Sequence, residues 1–407
     1  MELEVEYHGE AVGHLHQDAR GEIFFQYSAS WRSGPRELSP FRLPNSTADA
    51  VSAPKAGFGE LHGLFQDSLP DWWGEQMMRR HFIAAGIPWN RVTALQKLAC
   101  QGDRKMGALV FKPVIDGRNF NDGLLVDLAA LVKSARQAMK GEAAEVPAQL
   151  IQSGLSPGGA RPKALLWLSP DGREIHLDEG NGREPWLLKF DTDEETQEGR
   201  IEQAYLRMAA AAGIEVPESR LIEAGGGSHF IVKRFDRLPG GERVHQHSFS
   251  GLTHTPVRNG MDYEELMNVA RALTRDQRPV EEIFRRAVFN VAAGNDDDHG
   301  RNHAFLMNDD GTWRLSPAYD LTPTSNPLTS GFRSGRIRGK ASGITRKDLT
   351  RLGESQGVRR IRDAIDGVLE AVSRWPDFAS EVGLPKGHTA LVQSQLQALH
   401  DGHPRST

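Results

Sequence analysis

The sequence predicts an α+β chain, with strands gathered in its first part and helices in its second. Three observations predict this. Residues 2–31 alternate apolar and polar side chains, beginning with Leu3, Val5 and Tyr7, which is the period of a half-buried strand. Residues 280–293 repeat apolar side chains at helical spacing, with Ile283, Phe284, Ala287, Val288 and Val291 on one face. Between them, short apolar runs such as Trp186–Phe190 and His229–Phe235 are separated by glycine turns.

The chain has 407 residues, 38% of them hydrophobic and 25% charged, the balance of a globular protein of two or three domains. The net charge is −5 and no long basic run occurs, so nucleic acid is not the expected direct partner. The single cysteine, Cys100, excludes an internal disulfide framework and a cysteine-based zinc site, and fits a reducing cytoplasm. The acidic, alternating start Met1–Glu6 has no signal-peptide character. No apolar stretch reaches the ~20 residues that cross a bilayer.

In chain order, Val12–Leu15 and Ile23–Tyr27 continue the strand pattern after a His8-Gly9 turn. Trp72–Ala85 reads as a helix stopped by Gly86 and Pro88, and its tryptophan pair as core packing. Gly102–Phe111 reads as a solvated charged turn entering a strand. Leu124–Met139 has an apolar face of Leu124, Leu125, Leu128, Leu131, Val132 and Ala135, and Gly141–Pro147 reads as a linker.

Next comes the glycine-rich Ser153–Lys163, ahead of the strand Ala164–Leu168. Backbone N–H groups of such a loop can hold phosphate oxygens, although most glycine loops are only turns. Lys163 is followed by Ala164, so the loop is not a Walker A motif. Lys189 stands inside the apolar run Trp186–Phe190, and a lysine there reaches water, an acid or an anion. Glu202 lies on the helix expected over Gln197–Ala212. A strand lysine followed by a helix glutamate is also the pair with which kinases position nucleotide phosphates. Arg220–Glu223 and His229–Phe235 are expected as two strands around Gly225–Gly227, and Val232–Phe235 would be the edge leading out of the sheet. Arg234, Asp236 and Arg237 read equally well as surface ion pairs. Helices are then expected over Tyr263–Leu273, Val280–Ala293, Lys347–Leu352, Val358–Trp375 and Ala390–Leu399, with a hairpin over 304–315.

Gly294-Asn295-Asp296-Asp297-Asp298-His299-Gly300-Arg301-Asn302-His303 packs three acids, two histidines and two asparagines between a helix and a strand. Apposed acids repel, and a divalent cation is their natural counter-charge. Asp297, Asn302 and the later Asp320 have the kinase order of base, metal-binding amide and metal-binding carboxylate. Two rivals stand beside this reading. Asp296, Asp297, Asp298, His299 and His303 are candidate ligands of a hydrolytic metal site, or the chain is a binding module with a degenerate site.

Ser156-Pro157-Gly158-Gly159-Ala160-Arg161-Pro162-Lys163 resembles the S-x-x-G-x-x-x-K loop of the HipA family, the kinase toxins of HipBA-type toxin–antitoxin modules. Gly294–Asn302 resembles that family's G-N-x-D-x-H-x-x-N motif, and Tyr319-Asp320 its second metal motif. The resemblance implies a two-lobed protein-kinase-like fold with an extra N-terminal β-rich subdomain (residues 1–115), an N-lobe (116–238) and a helical C-terminal lobe (239–407). It implies a serine/threonine kinase using ATP and Mg²⁺, with Asp297 catalytic and Asn302 and Asp320 on the metal. Ser156, Gly158, Gly159, Ala160, Lys163, Lys189 and Glu202 would serve the phosphates. Val232, Lys233 and Phe235 would edge the adenine, with His299 beside the nucleotide. Ser156 would be the autophosphorylated serine. The implied partners are a HipB-like DNA-binding antitoxin, with DNA reached only through it, and an aminoacyl-tRNA synthetase as substrate. A small-molecule or lipid kinase remains the alternative within the same chemistry. Lys233 departs from the family's best-known member, which has an acid there, and His245–Ser250 also differs.

Overall fold

The alternation of residues 2–27 folds as three antiparallel strands, β1 (Glu2–Tyr7), β2 (Glu10–Gln17) and β3 (Ile23–Tyr27). His8 and Gly9 turn the chain between β1 and β2 at φ +48° and +80°. Leu3 pairs with Leu15, and Leu15 with Phe25, so one face of the sheet is apolar and buried. β4 (Val51–Ser52) and β5 (Leu109–Lys112) complete a five-stranded sheet of order β4-β3-β2-β1-β5. This is a computed structural model; it describes residues 1–401 except 56, 59, 102–104, 115–125, 141–149, 151–160, 181, 194, 239–240 and 324–331. Leu124, Leu125, the expected 141–147 linker and the Ser156–Ala160 loop therefore lie outside the described residues.

The chain divides into two units, each described by itself: residues 1–194, 222–254 and 306–312, and residues 195–221, 255–305 and 313–407. The first unit holds the five-stranded sheet above. Its short helices are α1 (Ala29–Arg32), α2 (Gly63–Gln66), α3 (Trp72–Ala84), α4 (Ala94–Gln101) and α5 (Leu128–Lys140). A second sheet runs β7-β6-β8-β10-β9. Its strands are β6 (Lys163–Leu168), β7 (Ile175–His176), β8 (Glu184–Lys189), β9 (Ser219–Ala224) and β10 (Gly227–Lys233). Ala164, Leu166, Leu168, Trp186, Leu188 and Ile231 pack against α3 and α5 as one core. Strand alternation sends Lys163, Lys189 and Phe230 to the opposite face, where the register sets them side by side.

The tryptophan pair splits. Trp73 is buried and its Nε1 donates to the Lys163 carbonyl at 2.9 Å, whereas Trp72 is 49% exposed. Successive helical residues point about 100° apart, so only one of them can face the core.

The second correction concerns charge. Arg234, Asp236 and Arg237 are buried rather than superficial. Asp236 accepts from Arg234 Nε at 3.0 Å, from Arg237 Nη1 at 2.7 Å and from the Gly107 amide at 2.8 Å. Burial opposes its charge, and the two guanidiniums overcome that, holding the carboxyl far below the usual range. Lys105, expected in solvated turn, is wholly buried and lies 3.5 Å from the Phe111 ring centre. Its carbonyl accepts from Arg234 at 3.0 Å and Arg237 at 2.9 Å. Burial first, then Arg243 and Arg237, push its amine well below the usual lysine range.

β11 (His245–Ser248) leads into α7 (Phe249–Thr253). Asp67 holds this turn, accepting from His247 Nδ1 at 2.6 Å and from the Ser248 amide at 2.7 Å. His247 Nε2 meets Ser39 Oγ at 3.0 Å on its other side.

The second unit is mostly helical. It contains α6 (Glu198–Ala211), β12 (Met261–Asp262), α8 (Tyr263–Thr274) and α9 (Arg278–Ala292). After β13 (Ala304–Met307) and β14 (Trp313–Leu315) come β15 (Gly335–Arg336) and α10 (Arg346–Ser355). The expected helix 358–375 is instead two, α11 (Ile361–Ser373) and α12 (Trp375–Glu381). Pro376 cannot continue the hydrogen bonding of α11 but suits the first turn of α12. α13 (Lys386–Asp401) is the last helix among the described residues. The apolar face of α9 packs on α8 and α11, and α6 packs on α11 and α12. No helix among the described residues is long and apolar enough to cross a membrane.

Replacing Asp236 with leucine should destabilise the first unit by about 3–5 kcal/mol, because two guanidiniums would stay buried without their anion; urea unfolding followed by tryptophan fluorescence measures it. Acid should also weaken the fold. Burial lowers His62 to about 4, and His245 and His303 to about 3. The unfolded chain therefore binds protons that the folded one refuses. Their contribution is complete above pH ~6.5 and falls as the pH drops toward 4, each group adding up to ~1.4 kcal/mol per pH unit. Unfolding midpoints at pH 7, 6 and 5 should decrease in that order.

Candidate active site

The acidic loop hangs from the end of α9, where Gly294 takes φ +71° and the chain leaves the helix. Asn295 follows and is buried. Its amide donates to the Asn290 carbonyl at 3.0 Å, and its side-chain Nδ2 donates to Asn290 Oδ1 at 3.2 Å and to the Asp320 carbonyl at 3.1 Å. One asparagine thus ties the helix end, the loop start and the distant Asp320 together.

The three acids separate by environment. Asp298 is fully buried; its carboxylate accepts from Tyr263 Oη at 2.8 Å, Arg333 Nη2 at 2.5 Å and the Gly335 amide at 2.8 Å. Burial raises its pKa, and Arg333 restrains the rise. Asp296 is half-buried and meets Arg333 Nη1 at 3.3 Å. Asp297 is exposed, and among the described residues no ion pair holds its carboxylate. Its carbonyl is fixed, accepting from the His299 amide at 2.8 Å and from Asn302 Nδ2 at 3.0 Å.

Asn302 closes the 3-10 turn Gly300–Asn302. Its side-chain N–H is committed to the Asp297 carbonyl, so Oδ1 is the side-chain atom that could donate to a cation. Asp320 sits at φ +52°, a left-handed conformation that non-glycine residues seldom adopt and that collects at functional sites. It is held there from both sides. Tyr319 Oη donates to the Arg301 carbonyl at 2.7 Å, and the Asp320 carbonyl receives Asn295. Asn302 and Asp320 so offer the amide and carboxylate oxygens that a hard dication takes.

His299 is half-buried, and its carbonyl accepts the Asn302 amide at 2.8 Å, which makes it part of the turn. His303 is buried, stands edge-on to Tyr263 at 5.6 Å, and finds no hydrogen-bond partner for either ring nitrogen among the described residues. Among those residues, no three histidine, cysteine or acid side chains gather as metal ligands. The hydrolytic metal reading loses its donor set, since Asp298 turns inward to Arg333 while Asp297 faces out.

In the first unit, Lys163 and Lys189 are direct neighbours across β6 and β8, and Phe230 flanks Lys189 from β10. Lys163 is buried, with its Nζ 3.7 Å from Asp71. Lys189 Nζ lies 5.9 Å from the Phe230 ring centre. Val232, Lys233 and Phe235 are half-buried at the end of β10, and Lys233 donates to Glu184 at 2.6 Å. Glu202 lies in the second unit, buried on α6.

Sequence reasoning missed Tyr263, Asn290 and Arg333. Tyr263 and Arg333 meet the acidic loop from distant stretches and Asn290 from the helix just before it, and only Asn295, inside the motif itself, carried a local signal. Tyr263→Phe should cost about 1–3 kcal/mol, since the hydroxyl donates to Asp298 and accepts from Asn290 Nδ2 at 2.8 Å. Thermal unfolding measures this; an unchanged midpoint would show that the hydroxyl is dispensable.

Residues 155–392 match the model described as the HipA-like C-terminal domain, and residues 3–112 match the HipA N-terminal domain. Y4mE of Sinorhizobium fredii, named as a candidate kinase, is 28% identical over 406 residues, covering 93% of each chain. The serine/threonine-protein kinase toxin HipA of Shewanella oneidensis is 26% identical over 189 residues, 41% of this chain and 42% of its own. In a solved complex of Shewanella oneidensis HipA and HipB with operator DNA, one chain superposes with a TM-score of 0.71 at 19% identity, covering 98% of this chain and 97% of that one. At that identity the likeness is one of fold, an α+β kinase-like fold with an N-terminal β-rich part. With the C-terminal model alone spanning more than half of its length, the chain belongs to the HipA family.

Proposed function

We propose that the chain is a protein serine/threonine kinase that uses ATP and Mg²⁺ and acts as the toxin of a toxin–antitoxin pair. One observation carries the reading: Asn302 is bonded to the Asp297 carbonyl while the left-handed Asp320 is tied to the same loop. Those bonds join the Asp320 stretch to the loop that bears Asp297 and Asn302, and these are the three residue types among which phosphoryl transfer divides its labour.

In this reading Asp297 orients the attacking hydroxyl and takes its proton. The hydroxyl oxygen bonds to the γ-phosphorus as the bond to the β-phosphate oxygen breaks, releasing ADP. Mg²⁺ held by Asn302 and Asp320 would neutralise phosphate charge. Lys163 and Lys189 are paired across β6 and β8 on one sheet face, and in this reading their ammonium groups would meet the nucleotide phosphates. Glu202 would orient Lys189, and Ser156, Gly158, Gly159 and Ala160 would cover the phosphates. The end of β10, Val232 to Phe235, would hold the base, and His299 would shape the loop beside it. Residues 1–115, 116–238 and 239–407 are then the N-terminal subdomain, N-lobe and C-lobe.

The relatives' names support a toxin kinase with a HipB-like DNA-binding antitoxin as its partner. In our reading, which here follows the motif resemblance alone, the substrate would be an aminoacyl-tRNA synthetase and Ser156 the site at which the enzyme silences itself. A phosphate on Ser156 brings about −1.5 to −2 charge next to the nucleotide phosphates, and repulsion would expel the loop.

Incubation with ATP and Mg²⁺ followed by intact mass tests the activity. The wild type should gain one phosphate, mapped to Ser156. Asp297→Asn and Asp320→Asn should remain folded and lose transfer by at least ~100-fold. A wild type that gains no phosphate would favour a non-catalytic antitoxin-binding role. Variants that gain it at the normal rate would remove these two residues from the chemistry.

A further inference from the structure

We propose that Arg333 is a positioning residue for phosphoryl transfer, latching the segment beyond Asp320 onto the acidic loop and thereby fixing the direction of Asp297. The proposal rests on the kinase reading, but its geometry is independent of it. Arg333 is buried and engages through every nitrogen of its head group. Nε donates to the Gly335 carbonyl at 2.9 Å, and Nη1 to the Asn290 carbonyl at 3.4 Å and to Asp296 at 3.3 Å. Nη2 donates to the Asn295 carbonyl at 3.0 Å and to Asp298 at 2.5 Å.

The backbone completes the latch. Ser334 N donates to the Asp296 carbonyl at 2.8 Å, and Gly335 N to Asp298 Oδ1 at 2.8 Å. Gly335 is required there, because a Cβ would sit 2.5 Å from Asp298 Oδ2. Parallel pairing of Gly335 with Met261 anchors the segment next to Tyr263, which donates to the same carboxylate.

The consequence concerns direction. Asp296 and Asp298 flank Asp297, and both turn toward one cation. In the non-helical stretch between them, the intervening side chain is left to point the other way, and Asp297 is the exposed one. A lysine cannot replace this arrangement, since it offers a compact point charge in place of a planar fork of five donors. The sequence spacing hides the device, because Arg333 stands far along the chain from the motif.

The test compares wild type, Arg333→Gln, Arg333→Lys, Asp298→Asn and the Arg333→Gln/Asp298→Asn double variant. Three readouts are taken: the rate of self-labelling at saturating ATP, ATP affinity by calorimetry, and amide exchange over residues 295–303. Each single variant should label about 100-fold more slowly, as for an ångström-scale misplacement. ATP affinity should stay within about threefold, because the nucleotide contacts are not removed. The double variant should be no slower than the worse single one, since both act through one interaction. Exchange should quicken in 295–303 without a matching loss of global stability; Arg333→Lys, the mildest change, guards against a variant that fails to fold. Normal labelling in the single variants, or losses that multiply in the double one, would overturn the latch and leave the kinase reading standing. A wild type that never labels would overturn the kinase reading. The latch is then decided by exchange alone, and unchanged protection in Arg333→Gln would overturn it as well.

Discussion

Burying a carboxylate costs several kcal/mol unless a cation meets it, and Arg333 supplies that cation to the acidic loop. Its bond to Asp298 lets one of three adjacent acids enter the core, and its bond to Asp296 turns a second the same way. Without it the three carboxylates would repel one another into solvent, and no one direction would be preferred. With it the charge is sorted: two acids hold the loop down and Asp297 remains at the surface. The end of α9, the start of α8 and the β15 segment all converge on that sorting through Asn290, Tyr263 and Gly335. Asn295 and Asn302 then carry the order outward, one to Asp320 and the other to the Asp297 carbonyl.

The elements were legible where a period was clean. The alternation of Leu3, Val5 and Tyr7 became β1, and the apolar face of 280–291 became that of α9. Asp297, Asn302 and Asp320 were singled out for their chemical order, and the fold joins the Asp320 stretch to the loop through Asn295. What was hidden is what depends on contacts between distant residues. Trp72 and Trp73 look alike in sequence, yet helix geometry buries only one. Arg333 has no local pattern at all. Its value comes from acids more than thirty positions away.

The same reason explains the misreading of Arg234, Asp236 and Arg237. A basic-acidic-basic run near the end of a strand has the look of a surface turn. In the fold it carries the carboxylate on which two guanidiniums and the Gly107 amide meet, under the buried Lys105. Both units thus use one design, a buried acid that pins a loop through arginine. In the first unit it fixes the chain where β10 leaves the second sheet. In the second it fixes the loop that bears Asp297. Buried ion pairs of this kind are weak sources of net stability but strict about geometry, which suits loops that must hold a shape.

The most direct test of the central claim is whether magnesium tightens nucleotide binding through the side-chain oxygens of Asn302 and Asp320. Calorimetric titration of ATP into the wild type should show binding tightened about tenfold or more by Mg²⁺. That gain should vanish in Asn302→Leu and shrink strongly in Asp320→Asn, with nucleotide binding in the absence of metal preserved. If both variants keep the full magnesium effect, Asn302 and Asp320 do not hold the metal, and the account of the site is wrong.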